Sequence, residues 1–250
     1  MRQYHPSTLR WALFHRYFQK AGEQYRRIWM IDVRDSFFQS DPFAFMPLLQ
    51  HKQEQGGDKS AASHFHVFTG VESFPIKECG WNSGWVKDCF GSAVLGDIGS
   101  RGIICSGVSA GTAGAAVEYV RIMSDIITGQ RSDSSSSTSS SSRSYHTLAN
   151  NFPQCERNGV DQGAHNVLVH TGALDHLQVR KWGQTDGPVS NMQSRLAKLT
   201  CRDGSADKQQ SSCTVQNRMG DTVAVVHQYD RYPELQRHLF QKVSLHIYSV

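Results

Sequence analysis

Residues 28–43 read Ile28-Trp29-Met30-Ile31-Asp32-Val33-Arg34-Asp35-Ser36-Phe37-Phe38-Gln39-Ser40-Asp41-Pro42-Phe43. Four apolar residues in a row, stopping abruptly at Asp32, predict a short strand of the buried parallel type with charge at its C-terminal end. In open α/β sheets that end is where ligands bind. Asp41-Pro42-Phe43 marks a turn, with a short helix expected over 43–50. Asp32 and Asp35 are three residues apart. On a straight strand residues i and i+2 share a face and i and i+3 do not, so both carboxylates reach one ligand only if the chain bulges or turns between them.

Upstream, residues 7–21 predict a helix capped by Ser7, with Leu9, Leu13, Phe14, Tyr17 and Phe18 apolar and Gly22 as its stop. Downstream, His64 to Thr69 reads as a strand. Residues 70–100 lack a strong period and read as mostly irregular. Arg101 to Gly107 reads as a second buried strand entering a small-residue turn. Residues 112–128 carry Ala116, Tyr119, Val120, Met123, Ile126 and Ile127 on one helical face. Residues 132–144 are almost all serine and cannot bury enough apolar surface to offset their ordering entropy, so a disordered insertion is expected. Asp161 to Thr171 predicts a short helix. Residues 183–220 read as loop-rich, with one strand near 196–200. Thr222 to Val226 reads as a last strand ending in His227, and a helix from about Pro233 to Lys242 closes the chain. The pattern is α/β: a mostly parallel mixed sheet with flanking helices, in one domain over residues 1–250.

The 250 residues suffice for one well-buried domain. Mean hydropathy is −0.47, and no run of 18 apolar residues interrupts the sequence. The first residues lack the apolar centre of a signal peptide, which implies a cytosolic protein or a targeting segment further upstream. A net charge of +4, with scattered basic residues, argues against nucleic acid as a partner. The six cysteines, Cys79, Cys89, Cys105, Cys155, Cys201 and Cys213, contain no CxxC pair. The Cys79/Cys89 and Cys201/Cys213 spacings suit loop-closing disulfides and a secretory compartment; the alternative is six unpaired thiols.

Three polar clusters stand at strand ends or a helix start: Asp32/Asp35, Asp161/Gln162/Asn166 and His227/Asp230. Two carboxylates and an imidazole from separate elements suit Mg²⁺ or Mn²⁺ carrying a diphosphate. Each also has a plainer reading. Asp32 and Asp35 can cap a turn or pair with Arg34 and Arg27, Asp161 can be an N-cap, and His227 can be a satisfied core histidine. Trp81, Asn82 and Trp85 suit either stacking on a sugar ring or core packing.

The run from Trp29 to Phe43 resembles the metal-binding segment of GT-A-fold glycosyltransferases. Cys105-Ser106-Gly107-Val108 is similar to the Asn-Ser-Gly-Val element beside the donor sugar in the glycogenin-type enzymes of family 8. Asp161-Gln162-Gly163-Ala164-His165-Asn166 resembles their Asp-Gln-Gly-x-x-Asn element, and His227 their late metal-ligating histidine. The four elements occur in family order over roughly residues 8–240.

The resemblance implies a glycosyltransferase that uses Mn²⁺ or Mg²⁺ and a nucleoside-diphosphate sugar, a UDP-sugar above all. Asp32, Asp35 and His227 would hold metal and nucleotide, with Asp32 or Asp35 free to contact the ribose instead. Asp161 would lie beside the anomeric carbon, and Ser106, Gly107, Gln162 and Asn166 would bind the sugar. The acceptor is a hydroxyl of a glycan, protein or lipid, and the compartment the Golgi or secretory lumen, with the cytoplasm as alternative. The Asp-x-x-Asp spacing departs from the usual Asp-x-Asp. Only 31 residues precede Asp32, whereas such domains begin with further strand–helix units. The resemblance thus implies an N-terminally truncated domain, with any membrane anchor upstream. A non-catalytic relative or carbohydrate-binding module is the rival reading, and a metal-dependent hydrolase the second.

Overall fold

The computed structural model describes residues 4–45, 64–129, 157–194, 198–202 and 212–239. The serine-rich stretch 132–144 lies outside them, as do residues 46–50 of the short helix expected over 43–50 and the end of the helix expected up to residue 242. The chain is α/β, with mixed sheets and flanking helices. Four strands form the main sheet in the order β1 (Arg27–Ile31), β4 (Gly102–Thr112), β3 (Phe65–Pro75), β5 (Val179–Trp182). A second sheet has the order β2 (Ser36–Phe38), β9 (Val225–His227), β6 (Val189–Asn191), and β7 (Lys198–Arg202) pairs with β8 (Ser212–Gln216) as an antiparallel hairpin.

The expectation of a mostly parallel sheet is corrected. β1 and β3 both run antiparallel to β4, and among the described strands only β3–β5 and β6–β9 are parallel. The last strand also belongs to the second sheet. An all-apolar strand signals burial on both faces, which parallel strands usually have but which does not itself fix direction. Here both faces of β1 are covered without parallel neighbours. Ile28 and Met30 enter the core beneath the helices, while Trp29 and Ile31 pack toward Phe68, Val108 and the second sheet's Val189 and Val225.

The helices cover one face of the main sheet. α4 (Ala113–Thr128) buries Ala116, Tyr119, Val120, Met123, Ile126 and Ile127, the face expected from its period. α1 (Pro6–Ala21) is capped by His5 rather than Ser7: the His5 ring accepts from the Ser7 amide, and Pro6 occupies the first turn, where no N–H is needed. Its buried residues are Thr8 and Trp11, with Phe14 and Phe18 against the core, while Leu9, Leu13 and Tyr17 are exposed.

The segment 70–100, expected to be irregular, instead holds the end of β3, α2 (Gly80–Phe90) and α3 (Ser92–Ile98). Glycines at 80, 84, 91 and 96 depress helix propensity, and tertiary packing of Val86, Cys89, Phe90, Val94 and Ile98 overrides it. The strand expected over 101–107 does not end in a small-residue turn but runs on as β4 to Thr112, with glycine at 107 and 111 where neighbouring residues approach closely. β5, β6 and β8 lie within or beside the stretch expected to be loop-rich.

α5 (Val160–His170) fixes the main sheet's open corner. β1 ends where Ile31 faces Val108, so the main chain of Ile104 and Ser106 extends past it. Asn166 accepts from the Ile104 amide at 2.9 Å and donates to the Ile104 carbonyl at 3.0 Å. Gln162 accepts from the Ser106 amide at 2.8 Å and donates to the Ile104 carbonyl. Two amide side chains one helical turn apart thus stand in for a missing strand.

α5 packs on α2 through Gly163, where an added Cβ would lie 2.8 Å from Trp85 Cβ and 3.3 Å from its main-chain carbon. Alanine favours a helix over glycine by about 1 kcal/mol, but here its methyl collides with Trp85 Cβ, which is fixed to the α2 backbone. Gly163→Ala is therefore expected to destabilise the fold by roughly 1–3 kcal/mol, read as a lower melting temperature. An unchanged or higher value would show that α2 and α5 move apart freely.

Candidate functional site

Past β1 the chain turns over residues 32–35 and re-enters as β2 in the second sheet. That turn resolves the Asp-x-x-Asp spacing. Ser36 pairs with His227 across β2–β9, and the Asp35 carbonyl accepts from the Gln228 amide at 2.6 Å. Gln228 adopts a left-handed φ of 61°, turning the chain directly after His227. Asp32, Asp35 and His227 consequently present three ligand atoms within 4.8 Å of one another. His227 Nε2 lies 3.6 Å from Asp35 Oδ1 and 3.9 Å from Asp32 Oδ2.

The imidazole is oriented from behind. Asn191 donates its amide to the Thr69 carbonyl at 2.7 Å, so its Oδ1 is the atom 2.6 Å from His227 Nδ1. An acceptor there places the proton on Nδ1 and leaves Nε2 as a bare lone pair. Burial lowers the His227 pKa to about 4, with Arg10 adding to the effect against Asp32 and Asp230, so the ring is neutral. Burial first, then Asp32 and Asp230, raises Asp35 above the ordinary carboxylate range. Asp35 Oδ1 and His227 Nε2 are both buried without a hydrogen-bond partner among the described residues. Buried acceptors facing one another without a donor fit a hard divalent cation, which takes oxygen and imidazole ligands together.

Gly107 makes this approach possible. A Cβ there would lie 2.7 Å from His227 Nε2 and 2.8 Å from Asp32 Oδ2. Ser106, nearly buried beside it, donates its amide to Gln162.

Asp161, expected as a possible N-cap, stands in the first turn of α5 behind Gly159, the residue at the cap position. Its Oδ2 accepts from Arg10 Nη2 at 2.7 Å and from Trp11 Nε1 at 3.3 Å. The other arm of Arg10 pairs with Asp32. Burial acts against the charge on Arg10, but Asp161 and Asp32 more than offset it and hold its pKa above the ordinary value. One guanidinium therefore joins Asp161 to the Asp32/Asp35/His227 cluster. Gln162 and Asn166, expected on sugar hydroxyls, spend their amides on β4. Arg10, Trp11 and Asn191 were not singled out from the sequence: the carboxylates that Arg10 joins stand 22 and 151 positions away.

The cysteines differ from expectation in one pair. Cys79 is free, so no bridge links it to Cys89, which is disulfide-bonded elsewhere. Cys213 is also disulfide-bonded and faces Cys201 directly in register. Cys105 is a buried free thiol 3.6 Å from His227 Nδ1.

No protein-family model matches the chain, and no curated protein matches it.

Two consequences are measurable. Gly107→Ala fills the space between Asp32 and His227 and is expected to abolish Mn²⁺ binding while the secondary structure by circular dichroism persists; retained affinity would separate Gly107 from the site. Second, burial holds His66 and His170 at about 4 and His165, beside the Tyr119 hydroxyl, at about 3. The unfolded chain takes up these protons first, near pH 6.5. Their contribution is complete above pH 6.5 and is lost as pH falls toward 4. The melting temperature should decline from about pH 6.5 downward; a flat profile to pH 4.5 would mean that these rings are not held neutral.

Proposed function

We propose that this protein is a GT-A-type glycosyltransferase, related to the glycogenin-type enzymes, that uses Mn²⁺ or Mg²⁺ to move a sugar from a UDP-sugar to a hydroxyl acceptor. One observation carries the reading. The four segments that resemble the family, far apart in sequence, meet at one point, with Asp32, Asp35 and His227 facing each other and Arg10 linking them to Asp161. Asp35 and His227, with Asp32, would hold the metal, whose chemistry is to neutralise charge on the departing diphosphate.

In the transfer, the acceptor oxygen bonds to the anomeric carbon as the bond from that carbon to the β-phosphate oxygen breaks. The electron pair leaves on the diphosphate and the acceptor proton passes to solvent. Asp161 stabilises the positive charge that builds at the anomeric carbon. Arg10 and Trp11 aim its carboxylate. Gln162 and Asn166 set the position of Asp161 through β4 rather than touching the sugar. Gly107 keeps the space in front of His227 open. The disulfide-bonded Cys89 and Cys213 favour the secretory lumen. No described helix is long and apolar enough to cross a membrane.

A second reading has its own observation. Arg10 already satisfies one oxygen each of Asp32 and Asp161. If it keeps both when donor is present, the chain binds nucleotide and transfers nothing, as a non-catalytic relative would.

Calorimetric titration of UDP with and without Mn²⁺, followed by UDP release from a panel of UDP-sugars, separates these. The catalytic reading expects Mn²⁺-dependent UDP binding that Asp35→Asn and His227→Ala abolish, together with sugar transfer. Asp161→Asn should lower turnover by about 10²-fold with UDP affinity retained. It should also lower the melting temperature, because Asp161 is part of a nearly buried ion pair. Binding without turnover supports the second reading, and no Mn²⁺-dependent UDP binding overturns both.

A further inference from the structure

α2 and α5 meet through tryptophan on glycine. Gly159, at φ +85°, precedes α5, and a Cβ on it would lie 2.3 Å from Trp85 Cζ2. The Trp85 indole thus rests on the backbone two residues before Asp161. One helical turn earlier on α2, Trp81 stands on the same face. The two ring centroids are 5.9 Å apart with planes inclined at 34°. Trp81 is 72% exposed, second only to Val33 among the large hydrophobic residues described. Tryptophan is usually mostly buried, and a large exposed ring backed by a second one is a surface with a use.

The polar groups beside the pair are also uncommitted. Trp85 Nε1 and Asn82 Oδ1 have no hydrogen-bond partner among the described residues, and Asn82 is only 7% exposed. Residues 82 and 85 are neighbours on the helix surface. One offers a donor and the other an acceptor, and groups of this kind cost stability unless something meets them. A 2.6 Å ion pair between Arg157 and Asp88 ties the segment leading into α5 to α2, fixing the platform relative to Asp161.

We propose that Trp81 and Trp85 form an acceptor subsite for a glycan, so that the hydroxyl acceptor is carried on a carbohydrate chain rather than on a protein or lipid. This rests on the transferase reading and extends it. A pyranose with equatorial hydroxyls presents a flat C–H face that suits an indole ring, and its rim hydroxyls both donate and accept hydrogen bonds. A sugar on Trp81 places the next ring of its chain over Trp85, toward the start of α5. The platform then supplies binding and direction, and Asp161 lies where the chain leads.

The test uses the whole chain and four probes: cellotetraose, xylotetraose, mannotetraose and maltotetraose. Calorimetry gives their affinity, and a parallel titration gives Mn²⁺-dependent UDP binding. The β-linked tetrasaccharides are expected to bind. Trp81→Ala should weaken them by roughly tenfold, the loss of one stacking contact. Trp81→Tyr should keep most of the affinity, and the melting temperature and UDP binding should be unchanged in both, because the Trp81 side chain is exposed. Equal glycan affinity in wild type and Trp81→Ala overturns the proposal. So does UDP binding with no tetrasaccharide binding, which leaves the transferase reading intact. Trp81-dependent tetrasaccharide binding without Mn²⁺-dependent UDP binding supports a glycan surface here and overturns the transferase reading.

Discussion

The passage of the chain from one sheet into the other at residues 32–35 is the constraint on which the candidate site depends. β1 belongs to the main sheet and β2 to the second. A turn that tight at the end of a strand forces Asp32 and Asp35 to the same side, and pairing of Ser36 with His227 brings in the imidazole. The left-handed Gln228 and its bond to the Asp35 carbonyl close the other edge of the seam. None of these contacts is strong alone. Together they hold three acceptors where repulsion and desolvation would otherwise separate them.

The electrostatic balance of this seam is uneven. Arg10 compensates Asp161 and one side of Asp32, while Asp35 has only the exposed Arg34, 3.9 Å from its Oδ2, and its Oδ1 faces His227 Nε2 with no hydrogen-bond donor between them among the described residues. Burial keeps the imidazole neutral and works against ionisation of Asp35. A cation is the simplest species that satisfies both groups at once. The same geometry explains the absence of a side chain at Gly107, since any Cβ there would collide with His227 Nε2 and Asp32 Oδ2.

Much of this was legible in the sequence, and the remainder was hidden for identifiable reasons. The strand at Ile28–Ile31, the helix at 113–128 and the polar groups at 32, 35, 161 and 227 were readable because periodicity and strand-end charge are local signals. Strand direction was not readable, because Trp29 and Ile31 announce burial on both faces whatever their neighbours' orientation. α2 and α3 were hidden because their glycines lower helix propensity, while the packing of Val86, Cys89, Phe90, Val94 and Ile98 that overrides it is a tertiary signal. Arg10 resembled any basic residue of an amphipathic helix. Only the fold shows that it lies beside Trp11 on the inner side, between carboxylates supplied by distant segments. For Gln162 and Asn166 the residues were identified but their use was not, since an amide that reads a main chain and one that reads a sugar look alike in sequence.

The pairing of α5 with the main chain of Ile104 and Ser106 has a consequence for how the molecule opens. Amides of β4 that pair with β1 or β3 are protected by those strands, and they become exposed when the sheet itself comes apart. The amides of Ile104 and Ser106 are protected by side chains of a helix. They are released whenever α5 lifts, even with every strand in place. Isotope exchange at these two amides therefore times the undocking of the helix that carries Asp161, independently of unfolding of the sheet. It gives the opening of that corner its own clock.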